Sequence, residues 1–132
     1  MKVLLLFVIV TLALGKEIGD DIIKSWEDVA KPHLSDCAKE SGLSESEAEN
    51  IMKNKIMSTH AHKCYTKCLD VRLGLFDPET RNFNIDGLVK KIKGMTREIA
   101  EECFTKYKDE KDDCELVFAS GMCFIEKITK DR

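Results

Sequence analysis

Apolar residues recur every three or four positions from residue 18 onward, which is the spacing of an amphipathic helix. The first stripe consists of Ile18, Ile22, Trp26 and Val29. Pro32 is expected to kink or restart this helix before it reaches Cys37. Beyond the first fifteen residues, no stretch alternates apolar and polar positions convincingly enough to indicate a strand. The pattern therefore predicts an all-α fold.

Capping signals place the next helices. Ser44 and Glu47 have the spacing of a capping box, so a second helix is predicted to begin there. A third helix is predicted over residues 59–73 and is closed by Gly74, a residue that favours helix ends. Residues 77–82 are rich in polar residues and contain a proline, which predicts a loop.

The remaining caps define the second half of the chain. Asn84 and Thr96 are predicted to begin two further helices, and Asp112 or Asp113 to begin the last one. The last helix is apolar nearly all round, through Leu116, Val117, Phe118, Met122, Phe124 and Ile125. A helix of this kind is expected to be central and buried.

The first fifteen residues have the pattern of a secretory signal peptide. A basic start is followed by an apolar run over residues 3–14, and Gly15 supplies the small residue before cleavage. The run is too short for a comfortable membrane span, so no stable membrane insertion is predicted. Residues 16–132 are expected to be one secreted, extracellular domain.

Charge excludes one class of partner. The formal net charge of the full chain is −3, and acidic and basic residues are interspersed along it. Removing the signal peptide also removes Lys2, which makes the charge one unit more negative. Such a surface favours solubility and gives no electrostatic basis for binding nucleic acid.

Six cysteines lie at positions 37, 64, 68, 103, 114 and 123. In an oxidising compartment an even number of cysteines predicts a disulfide framework, here of three bridges. Cys64 and Cys68 share one helix face, so a bond between them would link nothing. Cys114 and Cys123 lie about 180° apart around a helix and must contact different neighbours. Of fifteen pairings, these arguments remove only the local ones.

The cysteine spacing C-x26-C-x3-C-x34-C-x10-C-x8-C resembles that of the six-cysteine insect odorant-binding proteins, the pheromone and general odorant carriers. The segment HKCYTKCL at residues 62–69 supports the resemblance. It is followed by LGLF at 73–76 and by FNID at 83–86, which opens a helix. The resemblance covers the whole chain after the signal peptide.

The resemblance implies a compact bundle of about six helices around an internal apolar cavity. It implies the pairs Cys37–Cys68, Cys64–Cys114 and Cys103–Cys123. It also implies that Phe124, the aromatic residue directly after the sixth cysteine, lines the cavity. The function implied is to bind and solubilise small hydrophobic ligands, odorants or pheromones, for transport through aqueous chemosensory fluid. Such a carrier performs no reaction and needs no cofactor.

The apolar residues of the chain suit an adaptable pocket, although filling the core is the simpler interpretation for any one of them. The pocket candidates are Trp26, Ile51, Met57, Leu69, Phe76, Leu88, Met95, Ile99, Phe118, Met122 and Phe124. Trp26 is interpreted as a core or rim residue with a polar handle. Ser120 and Tyr107 are candidates for an orienting hydrogen bond, but a cap or surface role is favoured for both.

Signals for catalysis or metal binding are weak. His60 and His62 lie near Cys64 and Cys68, but histidines two apart on a helix diverge and the cysteines are expected to be oxidised. No metal site is therefore predicted. The chain has no H-E-x-x-H motif and no glycine-rich phosphate loop, so it is not predicted to be an enzyme.

Two alternatives stay open. One is a carrier of the same kind in saliva, venom, haemolymph or reproductive secretions. The other is a ligand-free, secreted helical signalling factor. Beyond the small hydrophobic ligand, a chemosensory receptor and a second copy of the chain are the partners considered. Any response to pH is expected to come from His33, His60, His62 or loop carboxylates.

Overall fold

The computed structural model describes residues 18–51 and 59–130. The predicted signal peptide and the pocket candidate Met57 lie outside the described residues. Within the described part, no helix has both the length and the apolar character needed to cross a membrane.

Helices dominate the described residues, in agreement with the predicted all-α fold. In chain order they are α1 (Asp20–Ala30), a 3₁₀ turn (Lys31–His33), α2 (Leu34–Ser41), α3 (Glu45–Glu49), α4 (His60–Arg72), α5 (Ile85–Lys91), α6 (Arg97–Tyr107) and α7 (Asp113–Lys130). Between α4 and α5 a short antiparallel hairpin pairs β1 (Phe76–Asp77) with β2 (Asn82–Phe83).

The helix starts follow the capping residues that the sequence predicts. The Ser44 hydroxyl accepts a hydrogen bond from the Glu47 backbone N–H at 3.0 Å, and the Glu47 carboxylate accepts one from the Ser44 N–H at 3.0 Å. This reciprocal pair is a complete capping box. Side-chain caps also begin four later helices, with Thr59 on α4, Asn84 on α5, Thr96 on α6 and Asp112 on α7.

Pro32 has the predicted effect on the first helical stripe. It lies in the 3₁₀ turn, and the α-helix resumes as α2 at Leu34. Proline cannot donate the backbone hydrogen bond that a continuous α-helix requires at that position. The stripe is therefore divided between two short helices.

The hairpin corrects the expectation that residues 77–82 form only a loop and that the chain has no strand. Phe76 pairs with Phe83 and Asp77 with Asn82. Arg81 adopts a left-handed backbone with φ of 61°, and its N–H donates to the Asp77 carbonyl at 2.7 Å. Strands of two residues are too short for an alternating pattern to be visible in the sequence.

Three disulfides link the helices. Cys37–Cys68 joins α2 to α4, Cys64–Cys114 joins α4 to α7, and Cys103–Cys123 joins α6 to α7. These are the pairs that the family resemblance implies. Cys114 and Cys123 bind different neighbours, as expected from their opposite positions around α7.

The last helix is only partly central. Leu116 and Val117 are each 1% exposed, but Met122 on the same helix is 41% exposed. The prediction that α7 is central and buried is therefore wrong on the Met122 side. An apolar composition does not reveal which face of a helix finds neighbours.

Candidate ligand-binding site

Several pocket candidates meet in one apolar group, here called the Trp26–Phe124 cluster. Its members come from α1 and the residues just before it, from α6, from α7 and from the segment that joins α5 to α6. They are Ile18, Trp26, Ile92, Met95, Ile99, Cys103, Tyr107, Cys123, Phe124, Ile125 and Ile128. Phe124 is 5% exposed, whereas Trp26, Met95 and Ile99 remain half-buried. The cluster therefore has a buried base and a partly accessible apolar rim.

The local sequence explains how Phe124 is held. It directly follows Cys123, and the bond from Cys123 to Cys103 attaches this turn of α7 to α6. The ring of Trp26 lies against the ring of Phe124, with centroids 5.6 Å apart and planes inclined by 50°. Tilted aromatic pairs of this geometry are favourable beyond their buried area.

Trp26 has the polar handle that was expected of it. Its indole Nε1–H donates to the backbone carbonyl of Lys93 at 3.0 Å. This hydrogen bond connects α1 to the segment before α6. The hydrogen bond fixes the orientation of the indole, and the apolar surface of the ring packs in the cluster.

Gly94 allows the segment between α5 and α6 to approach the cluster closely. Its φ of 94° is in the left-handed region, which glycine adopts without strain. A Cβ atom at this position would lie 3.9 Å from Phe124 Cζ and 3.9 Å from Ile128 Cγ2. The turn therefore brings the neighbouring Met95 to the rim of the cluster.

Leu88 belongs to an adjoining group. It is buried with Leu75 and Ala100, and Ile92 and Met95 pack against both this group and the Trp26–Phe124 cluster. Five of the eleven pocket candidates thus lie in one continuous apolar region. They are Trp26, Leu88, Met95, Ile99 and Phe124.

The other described candidates lie elsewhere. Phe76 is buried with Leu116 and Val117 and stacks on Phe83 at 5.0 Å. Ile51 and Leu69 belong to a group around Cys37–Cys68. Two candidates on α7 lie outside these groups. The centre of the Phe118 ring is 5.1 Å from Lys63 Nζ, and Met122 is exposed.

Ser120 is a polar residue that sequence reasoning placed wrongly. A cap or surface role was favoured, but the residue lies in the middle of α7 and is 8% exposed. Its hydroxyl is buried and has no hydrogen-bond partner within the described part of the chain. A sequence signal exists, because Ser120 is one helical turn before Phe124 in a strongly apolar helix.

Asp70 is a feature that the sequence analysis missed. Its side chain on α4 is half-buried, and the described residues offer it no hydrogen bond or ion pair. Burial raises the pKa of its carboxyl from the ordinary 3.8 to about 7, because removal from water disfavours the charged form. The signal in the sequence was its position between Leu69 and Val71, two residues after the disulfide-bonded Cys68.

The histidine and cysteine group seen in the sequence is partly assembled. His60 Nε2 lies 3.3 Å from Cys64 Sγ, and the ligand atoms of His60, Cys64 and Cys114 lie within 4.8 Å of one another. The two sulfur atoms are joined in a disulfide. They are therefore not thiolates, the form in which cysteine binds zinc.

Two surface grooves lie away from the cluster. One is lined by Arg97, Glu98, Glu101, Glu102, Thr105 and Lys106 of α6, and the other by Asp21, Lys24, Ser25, Asp28 and Val29 of α1. Both are open to solvent, and their walls are formed mostly by the aliphatic parts of charged and polar residues. They lack the enclosed apolar walls expected of a site for a small hydrophobic ligand.

Fold and site together define a class of protein: a small helical protein, linked by three disulfides, with an apolar cluster whose rim is partly accessible. The PBP/GOBP family model matches residues 23–127, and the chain belongs to this family. This confirms the resemblance to insect odorant-binding proteins. Membership supports a role as a small-ligand carrier.

Three relatives from Drosophila melanogaster are similar to the chain. General odorant-binding protein 57e is 34% identical over 93 residues, covering 67% of this chain and 68% of the relative. General odorant-binding protein 99a is 22% identical over 128 residues, covering 92% and 89%. General odorant-binding protein 19d is 25% identical over 124 residues, covering 84% and 82%. No solved structure gives a significant match.

Proposed function

We propose that this protein is a secreted carrier that binds small hydrophobic molecules, odorants or pheromones, and transports them through aqueous chemosensory fluid. The printed names of the three relatives support this proposal, because each is an odorant-binding protein. The signal-like first fifteen residues support secretion. The role proposed is binding, without a chemical reaction.

The ligand is proposed to bind at the Trp26–Phe124 cluster, against Trp26, Met95, Ile99 and Phe124, with Leu88 behind them. The observation that carries this assignment is that half-buried apolar residues from α1, the α5–α6 segment and α6 pack against a buried group that includes Phe124 of α7. Half-buried apolar surface is what a hydrophobic ligand covers most favourably.

The physical gain is sufficient for useful affinity. A ligand that removes about 300 Å² of apolar surface from water gains roughly 7 kcal/mol at about 25 cal/mol per Å². Part of this gain is lost to immobilisation of the ligand. Because 7 kcal/mol corresponds to a dissociation constant of about 10 μM before that loss, we expect dissociation constants of roughly tens to hundreds of micromolar for good ligands. Met95 has an unbranched, flexible side chain that adapts to ligands of different shape.

The first experiment uses the oxidised protein that consists of residues 16–132. It is titrated with an environment-sensitive apolar dye. Alcohols, esters, aldehydes and fatty acids are then used as competitors. Saturable dye uptake of about one per protein, reversed by some competitors, would support the carrier role. A folded, delipidated protein without saturable uptake would refute it and favour the signalling-factor interpretation.

A matched pair of variants tests the location. Met95→Ala removes a half-buried side chain of the cluster, and we expect it to weaken binding by about 1–2 kcal/mol, or roughly 5- to 30-fold. Met122→Ala removes the same side chain from a position that is 41% exposed, and we expect affinity to stay unchanged. The reverse pattern would move the site to the Met122 side of α7.

A further inference from the structure

Ser120 places a free hydroxyl group inside an otherwise apolar part of the protein. The residue is more than nine-tenths buried, and its Oγ has no hydrogen-bond partner among the residues that the structure describes. Buried hydroxyl groups are normally hydrogen-bonded, because loss of water without a replacement partner is unfavourable. The unpaired Oγ therefore calls for a functional explanation.

Other helical hydroxyl groups in this protein do find partners. Ser41 Oγ donates to the Cys37 carbonyl at 2.7 Å, Thr66 Oγ1 to the His62 carbonyl at 3.2 Å, and Thr129 Oγ1 to the Ile125 carbonyl at 3.0 Å. In each case the acceptor lies four residues earlier in the helix. Ser120 does not use the corresponding carbonyl of Leu116. Its hydrogen-bonding capacity is left available.

The position of Ser120 connects this hydroxyl to the proposed ligand site. Ser120 lies three residues before Cys123 and four before Phe124, so these residues share one face of α7. Cys123 and Phe124 form the buried base of the Trp26–Phe124 cluster. Val117, three residues earlier on α7, belongs to the neighbouring Phe76 group. Ser120 is thus positioned beside the base of the cluster.

We propose that Ser120 supplies the polar contact of the ligand site, an inference that rests on the proposed carrier function. Its hydroxyl forms a hydrogen bond with one oxygen of a neutral ligand, and the apolar part of the ligand lies against Trp26 and Phe124. The Oγ is enclosed by protein, so the ligand must displace neighbouring apolar side chains to reach it. Half-buried, flexible residues such as Met95 permit this movement.

The chemistry of a hydroxyl defines the ligand class. A serine hydroxyl both donates and accepts, so it pairs with alcohols as donors or acceptors and with aldehydes, ketones and esters as acceptors. The Ser120 hydroxyl is uncharged, so it offers no ion pair to a carboxylate. Burial of a fatty-acid carboxylate there, without a cationic partner, is unfavourable. The site therefore selects neutral hydrophobic molecules with one oxygen function.

The test compares octanol and octanal with nonane, an alkane of matched length, in dye competition against the oxidised protein and its Ser120→Ala variant. We expect Ser120→Ala to lower the affinity for octanol and octanal by roughly 5- to 10-fold. The affinity for nonane should stay unchanged or rise slightly. Ser41→Ala is the control, because it removes a hydroxyl that is bonded within its own helix. Ser41→Ala should leave the affinities for octanol and octanal relative to nonane unchanged.

Three other results would each overturn the inference about Ser120. If Ser120→Ala alters octanol and nonane by the same factor, the residue has only a packing role and the inference is overturned. Unchanged affinity for all three ligands overturns it as well, while the carrier function stands. If the unsubstituted protein binds none of them and takes up no dye, the carrier function fails and this inference fails with it. Retained melting behaviour of Ser120→Ala verifies that the variant is folded.

Discussion

Replacement of Asp70 by asparagine should make the protein more stable at neutral pH and remove part of its pH dependence. The Asp70 side chain is half-buried in α4 without a partner among the described residues, and burial raises the pKa of its carboxyl from 3.8 to about 7. Asparagine has a similar shape and no charge. The variant therefore removes the cost of ionising a carboxyl that is poorly solvated in the folded state.

The magnitude follows from the difference in pKa. Each unit corresponds to 1.36 kcal/mol, so a rise of about three units amounts to roughly 4 kcal/mol. The side chain retains some contact with water, which reduces this figure to about 2–4 kcal/mol. Between pH 3.8 and 7 the folded protein keeps the proton of Asp70 while the unfolded chain has lost it. The stability due to this proton is complete below pH 3.8 and is lost as the pH rises towards 7.

Three other carboxyl groups have lowered pKa values, but these do not mask the effect of Asp70 on stability between pH 5 and pH 8. The pKa of Asp21 is lowered, first by its hydrogen bond with Lys93. The pKa of Glu47 is lowered by the hydrogen bond it accepts from the Ser44 backbone, and that of Asp112 by the bond from the Glu115 backbone. These carboxylates stabilise the fold above their unfolded pKa values and lose this contribution only in more acidic solution.

The assay is urea unfolding of the oxidised protein at pH 5 and pH 8. We expect Asp70→Asn to be more stable than the unsubstituted protein at pH 8 by about 2–4 kcal/mol, with a much smaller difference at pH 5. Asp109→Asn, which changes an exposed carboxylate, is the control and should leave the pH dependence intact. If the loss of stability between pH 5 and pH 8 persists in Asp70→Asn, the reasoning about Asp70 is refuted.

Three further substitutions have definite expected effects on the free energy of unfolding, each measurable by urea denaturation. Phe124→Ala should cost about 3–5 kcal/mol, because the ring is buried, and a loss below about 1 kcal/mol would contradict its place in the core. Gly121→Ala should stabilise by up to about 1 kcal/mol, whereas Gly74→Ala should destabilise. Both sites are sterically open, but only Gly74 has a positive φ, of 73°, so equal effects would disprove the backbone argument. Ser44→Ala should cost about 1 kcal/mol through loss of the capping box with Glu47, and an unchanged midpoint would show that the cap is not stabilising.

The ends of the helices could be predicted because their determinants are local. The hydrogen bonds of Ser44, Thr59, Asn84 and Thr96 to backbone groups span only three residues, so the sequence contains both partners side by side. Pro32 acts on its own helix for the same reason. The cysteine positions likewise limited the faces on which disulfides form, although the choice of partners needed the family resemblance.

The hairpin and the residues that form the site could not be predicted from local sequence. Phe76 and Phe83 pair across a turn in strands too short to have a periodic pattern. Among the pocket candidates, Met95 and Met122 are chemically identical, yet one lies in the Trp26–Phe124 cluster and the other is exposed. Only the packing of α1, α6 and α7 distinguishes them.

By itself, the sequence determined an all-helical, disulfide-linked protein of a recognisable family, because helix caps, apolar spacing and cysteine positions act over a few residues or along one helix face. Tertiary structure alone decided that the Ser120 hydroxyl is buried without a hydrogen-bond partner among the described residues and that the Asp70 carboxyl is poorly solvated. The environment of a side chain depends on neighbours that are distant in sequence. Solvation and hydrogen bonding therefore become defined only when the helices pack.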